Sequence, residues 1–251
     1  MAELIEITTA DGTAEAYLSR PAGEGARPGV LFFMDAIGLR PRIAEMADTI
    51  ASWGYVVLAP NLFYRDGSMA DLAPAGDLRE AGNREAFFAG GVRQRIAHHT
   101  AERAAADAEA YLATLDEYAD RGGIGATGYC MGARHATRLA GQFPGRVRSV
   151  GSWHGGGLVT EDADSPHLAI AGASAEFAYG HADEDPSMPP AAVAALGEAL
   201  AATGRPFVNE VFPHAPHGYT MSDTSSWQEA ATELHFAHLR ALFERTLSSA
   251  S

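Results

Sequence analysis

One cysteine, Cys130, stands in 251 residues, so no intrachain disulfide can form and a reducing compartment is expected. Basic side chains are scarce as well. Lys and Arg total 18 against 32 Asp and Glu, a formal charge of −14, and no basic cluster interrupts the acidic field. The attraction that carries most nucleic-acid binding and much adsorption to anionic membranes is therefore missing, and neither nucleic acid nor membrane is expected as a partner. No stretch approaches the ~18 apolar residues of a membrane span. The first residues, Met1-Ala-Glu-Leu-Ile-Glu6, are acidic where a secretory signal would be basic and then apolar, which points to a cytoplasmic protein. There is no His-Glu-x-x-His segment, and the one acidic loop of note lacks the later Gly and Glu of a calcium loop. Neither a metal nor any other cofactor is expected.

What is present is an ordinary globular composition, 47% hydrophobic and 20% charged, long enough to bury a large core without staples. Residues 4–8 and 14–19 alternate in polarity around Ala10-Asp11-Gly12, whose Asp-Gly pair suits a hairpin, so an antiparallel entry ribbon is expected. Residues 29–34 and 55–59 are continuous apolar runs, the pattern of strands covered on both faces. Between them Pro41 opens a helix with Ile43, Met46, Ala47, Ile50 and Trp53 at helical spacing, and Gly54 is placed to end it. Further strands are expected over residues 124–129, 147–153, 174–179 and 206–212, with helices over 101–118, 131–143, 189–203 and 227–247. This alternation predicts one α/β domain over residues 1–251, a mostly parallel sheet with helices on both faces. Residues 60–100 form an excursion with short helices that could cover a site, and Phe63, Tyr64, Phe87 and Phe88 either line a pocket there or pack as core.

The segment with chemistry in it runs from an apolar strand through Gly128-Tyr129-Cys130-Met131-Gly132 into a helix. A nucleophile on a tight strand-to-helix turn takes a strained backbone, and residues two before and two after it must be small for the chain to pass. The turn presents the side chain at a helix N-terminus, where dipole and free N–H groups favour a thiolate and a developing oxyanion. A thiol so placed needs a base. Of the ten histidines, His214 and His217 lie in the loop after the last strand, and the Gly218-Tyr219 pair after His217 marks it as the base. The loop after the preceding strand carries two acids, Asp183 and Asp185, and either could orient the imidazole while the other caps the helix opening near Pro189.

These residues resemble the dienelactone hydrolase family of α/β hydrolases. The resemblance runs over nearly the whole chain and is carried by Gly128-Tyr-Cys-Met-Gly132, Met34-Asp35-Ala-Ile-Gly38, Gly54-Tyr55, Ala59-Pro60-Asn61-Leu62, the loop ending at Asp185, and Pro216-His217-Gly-Tyr219. It implies the α/β-hydrolase fold and a catalytic triad of Cys130, His217 and Asp185. It also implies a carboxylate at Asp35 that contacts the cysteine and helps its ionisation, and an oxyanion hole of the Ala36 and Met131 N–H groups. The family's best-known members hold a substrate carboxylate with arginines, one a few residues after the histidine, where this chain has Met221. Arg84, Arg93 and Arg95, three of the excursion's arginines, could serve instead. The expected activity is hydrolysis of small activated esters or lactones through an acyl-enzyme, by a monomer or small homo-oligomer. A thioesterase or acyltransferase with the same triad, a non-catalytic ligand binder and a redox sensor built on Cys130 are the rival readings.

Overall fold

The computed structural model describes residues 1–23 and 25–247 and contains one eight-stranded sheet. In chain order the strands are β1 (Glu3–Thr9), β2 (Gly12–Ser19), β3 (Gly29–Phe33), β4 (Val56–Pro60), β5 (Ile124–Tyr129), β6 (Val147–Trp153), β7 (Glu176–His181) and β8 (Phe207–Val211). The helices are α1 (Pro41–Ala51), α2 (Asn83–Phe87), α3 (Arg93–His98), α4 (Ala101–Tyr118), α5 (Gly132–Gln142), α6 (Pro190–Ala201) and α7 (Glu229–Thr246). Across the sheet the order is β1-β2-β4-β3-β5-β6-β7-β8. The β1–β2 and β2–β4 pairs are antiparallel and all others parallel.

The central strands β3, β4 and β5 are buried at every residue, as their unbroken apolar and small side chains require. α1 packs on β2 and β4, and α7 packs on β6 and β7. These helices share one face, where Trp53 meets Phe236 edge-on at 5.7 Å. α4 and α5 touch each other and cover β3 from the other face. Among the described residues, no helix is long and apolar enough to cross a membrane.

Two local expectations change. Thr9 pairs with Gly12, so Ala10-Asp11 is the hairpin turn and Gly12, with φ of 145°, is already the first residue of β2. The strand expected over 174–179 begins two residues later, because a 3-10 turn at Pro166–Gly172 occupies the approach to it. The excursion holds α2, a single π-helical turn (Phe88–Val92) and α3. It is fastened to the body. The Asn61 N–H donates to the Glu15 carbonyl of β2 at 2.8 Å, and Arg65 grips the buried Asp107 of α4 through two bonds of 2.7 and 2.8 Å.

The winding reverses at β3. The chain steps from β3 to β4 on one side, then crosses to β5 on the other and continues outward. A crevice forms outside the carboxyl ends of the strands at such a switch point, and the loops after β3 and β5 face each other across it.

Candidate active site

Cys130 directly follows β5 and has φ of 54°, the left-handed region that a side chain with a Cβ seldom adopts. The conformation is held from several sides. Its N–H donates to the Trp153 carbonyl at 3.1 Å, and the glycines around it leave no room for relaxation. A Cβ on Gly132 would stand 2.5 Å from the Met34 carbonyl oxygen, and one on Gly128 would stand 2.8 Å from the Ala133 nitrogen. Both glycines are therefore required by backbone contact, the first between α5 and the end of β3, the second between β5 and α5.

The Cys130 sulfur is hydrogen-bonded to His217 and accepts from the Met131 N–H. His217 Nδ1 lies 2.6 Å from Asp185 Oδ2, and the other Asp185 oxygen accepts from the Ser187 N–H and hydroxyl at 2.9 and 2.7 Å. Burial alone would raise the Asp185 pKa. The bonds from His217 and Ser187 overcome it and hold the carboxyl at about 2. Burial likewise opposes charge on the other two groups, and their mutual attraction wins. The thiol lies below its ordinary value because of the His217 charge and hydrogen bond, and His217 is pushed up to about 10 by Cys130 and Asp185. Both shifts favour the thiolate–imidazolium pair over the neutral one.

Asp183 is elsewhere employed. Its Oδ2 accepts from the His214 N–H at 2.8 Å and its own N–H donates to Ala215, which ties the β7 loop to the β8 loop. His214, at φ of 60°, serves that turn. His154, which follows β6 and has no motif around it, is nevertheless part of the setting. It is fully buried, its ring packs against His217 at 5.4 Å, and its Nε2 meets the Thr220 hydroxyl at 2.8 Å. Burial and the neighbouring His217 charge keep it neutral. No sequence signal marked it, since only the sheet brings β6 beside β5.

Asp35 lies beside Cys130 but does not hydrogen-bond to it. Its Oδ1 takes Arg40 Nη1 at 2.7 Å and the Ile37 N–H at 3.1 Å, and its Oδ2 takes Arg40 Nη2 at 3.1 Å. Arg40 is 5% exposed and also binds Asp223, so one guanidinium joins the loop after β3 to the segment after His217. The charge of Asp35 opposes ionisation of the thiol. The expectation that Asp35 contacts the cysteine and promotes its ionisation thus gives way to a structural contact with Arg40, a partner that sequence reasoning missed.

Ala36, Arg84, Phe88, Cys130, His217 and Met221 surround a cavity of about 80 Å³. Among the excursion arginines, only Arg84 reaches it, with its guanidinium carbon 5.0 Å from the Phe88 ring centre. Arg95 sits over Phe63 and Phe87 and borders a different cavity, and Arg93 is exposed on α3. Among the described residues no group of three or more His, Cys, Asp or Glu side chains is placed to hold a metal ion.

Comparison with known proteins gives a consistent picture. The model of the dienelactone hydrolase family matches residues 14–247. A candidate carboxymethylenebutenolidase of Methylorubrum extorquens is 26% identical over 222 residues, covering 86% of this chain and 71% of that one. The crystal structure of a candidate dienelactone hydrolase from Klebsiella pneumoniae superposes with a TM-score of 0.80 at 21% identity over 98% of both chains. A dienelactone hydrolase-like promiscuous phosphotriesterase from metagenomic libraries gives 0.76 at 19% identity over 99% of both. At these identities the structural likeness speaks for the α/β-hydrolase fold alone.

Proposed function

We propose, since this chain belongs to the dienelactone hydrolase family and is a carboxylic ester hydrolase, that Cys130, His217 and Asp185 form its catalytic triad and that it cleaves small activated esters or lactones through an acyl-enzyme. The observation that carries this reading is the continuous hydrogen-bonded chain Asp185–His217–Cys130 at a strained turn on the carboxyl edge of the sheet.

The Cys130 thiolate attacks the carbonyl carbon and forms a C–S bond, and the carbonyl π pair becomes an oxyanion. The Ala36 and Met131 N–H groups receive that oxyanion. The Met131 N–H rests on the sulfur beforehand, so its donor passes to the oxygen as negative charge leaves the thiolate. Collapse of the adduct breaks the C–O bond, and the departing oxygen takes the proton of the His217 imidazolium. The neutral His217, oriented by Asp185, then takes a proton from water as the water oxygen attacks the thioester. Release of the acid product expels the thiolate and restores the starting ion pair.

Substrate range follows from leaving-group ability. A thiolate leaves more readily than an amine, so an amide adduct reverts, whereas enol esters and activated lactones go forward. Arg84, which lines the same cavity as the nucleophile, is the residue that would receive a substrate carboxylate. Asp35 acts by holding the Ala36 loop to Arg40. The test is intact-mass spectrometry with p-nitrophenyl acetate on wild type, Cys130→Ala and His217→Ala. A 42 Da acetyl adduct is expected on wild type during turnover and none on Cys130→Ala, and turnover without any dependence on Cys130 would overturn the mechanism.

A further inference from the structure

Behind the nucleophile turn, between α5 and the segment joining α3 to α4, lies a second cavity of about 280 Å³ that shares no lining residue with the first. Its walls include His99, His135, Arg134, Arg138 and Thr160. His99 and His135 are 7% and 8% exposed, and their rings meet edge to face at 4.6 Å. Both ring nitrogens of His99, Nδ1 of His135 and Nε of Arg134 are buried without any hydrogen-bond partner. Each such group costs roughly 1–3 kcal/mol when left unsatisfied, so their gathering around one cavity calls for an occupant.

The chemistry of the walls selects that occupant. Arg138 is compensated, since its Nη2 donates to the Asp164 carbonyl at 2.7 Å and reaches the Asp164 carboxylate at 3.4 Å. Arg134 has no carboxylate partner among the described residues. The two aspartates of the lining are at the exposed rim, where water screens them, and Asp162 accepts from the Thr160 hydroxyl. Burial keeps both histidines neutral, with His99 pushed down to about 4, so each brings one N–H donor and no charge. The interior therefore presents one positive charge and several donors. Among the described residues no group of three or more His, Cys, Asp or Glu side chains is placed to hold a metal ion, and the Arg134 charge opposes one here.

We propose that this cavity is a binding site for a small oxyanion, a carboxylate or a phosphate, held by Arg134 with the ring N–H groups of His99 and His135. The site is distinct from the catalytic cavity and its existence does not depend on the catalytic assignment. It has a consequence for the nucleophile. Arg134 lies within electrostatic reach of the Cys130 sulfur, so an anion seated on it weakens the positive field behind the thiolate.

The test is titration of the full chain with sodium acetate and, separately, inorganic phosphate, with chloride at matched ionic strength. It is followed by the Arg Nε–Hε and His ring signals in NMR. Wild type carbamidomethylated at Cys130 is titrated in parallel, so that the catalytic cavity is blocked. Saturable shifts confined to Arg134, His99 and His135 are expected in both forms, and the tighter of the two anions identifies the source. Arg134→Gln should weaken binding about tenfold or more, the loss of one charge-assisted bond. His99→Phe, which keeps the ring packing, should weaken it as well and stands as the second variant if the first is poorly folded. The proposal is overturned if neither anion saturates wild type, if blocking Cys130 abolishes binding, or if both variants bind as wild type does.

Discussion

Replacing His217 with Ala should turn Cys130 from a pre-ionised nucleophile into an ordinary buried thiol, and alkylation by iodoacetamide measures the change directly. In wild type the thiolate is sustained by the His217 charge and hydrogen bond against burial and against Asp35, both of which favour the thiol. Without His217 the Met131 N–H and the more distant Arg134 charge are left to oppose burial and Asp35. A free thiol with pKa near ~8.5 is only ~0.3% ionised at pH 6, and each unit by which a partner lowers that pKa multiplies the thiolate fraction about tenfold there. Low-pKa thiolates are weaker nucleophiles, with a Brønsted slope of ~0.4–0.5, which returns part of that factor. The net expectation is alkylation at least about threefold slower in His217→Ala at pH 6. The profiles should differ in position as well. The wild-type profile should lie at lower pH than the variant's, and the variant should rise about tenfold per pH unit from pH 6 to 8. Equal rates at pH 6, or a wild-type profile that titrates like a free thiol, would refute the ion pair.

Asp185→Asn should lower stability by an amount that depends on pH. The native carboxyl is held at about 2 against an unfolded value near ~3.9, so the unfolded chain binds more protons between these limits and stability rises with pH there. The contribution, on the order of 2 kcal/mol, is complete above pH ~4 and lost as pH falls through 2, so urea unfolding of wild type and variant should converge in acid. Arg40→Ala leaves Asp35, 4% exposed, without its cation. It should cost about 3 kcal/mol in chemical denaturation, with at least half recovered when Asp35 is also made Leu; an additive double mutant would contradict the buried pair. Arg84→Gln should raise KM about tenfold more for an ester bearing a carboxylate than for p-nitrophenyl acetate, measured in steady-state assays.

Where the backbone itself imposes a residue type, the sequence is readable. β5, β6 and α4 run over the residues expected of them, because short segments bounded by Gly and Pro and an alanine-rich amphipathic stretch leave few alternatives. The turn at Cys130 was legible for the same reason, since two glycines in contact with backbone on either side cannot be replaced by chance composition. Contacts made through space leave no such mark. Arg40 and Asp223 are separated by 183 positions, and neither stands in a motif. His154 becomes a neighbour of His217 only when β6 is laid beside β5 and β7. Asp35 was read from its place after β3, but the guanidinium that occupies its carboxylate comes from Arg40, the residue just ahead of the next helix. Arg134 and His135 carry no sequence motif, and only the fold shows that Nε of the first and Nδ1 of the second are buried without a partner.

The manner in which residues 60–100 are attached bears on how this scaffold can diversify. Asn61 and Arg65 anchor the near end of the excursion, the latter through Asp107 on α4, and the body of the sheet closes without it. The wall that Arg84 and Phe88 contribute thus lies outside the sheet, whereas Cys130, His217 and Asp185 hang from the sheet itself. Exchanging residues 66–98 while retaining Asn61, Arg65 and Asp107 changes what is admitted to the thiolate and leaves its ionisation in place. Selection can in this way retune substrate preference at one locus without renegotiating the chemistry, and a library confined to that segment is the economical route to new esterase specificities on this chain.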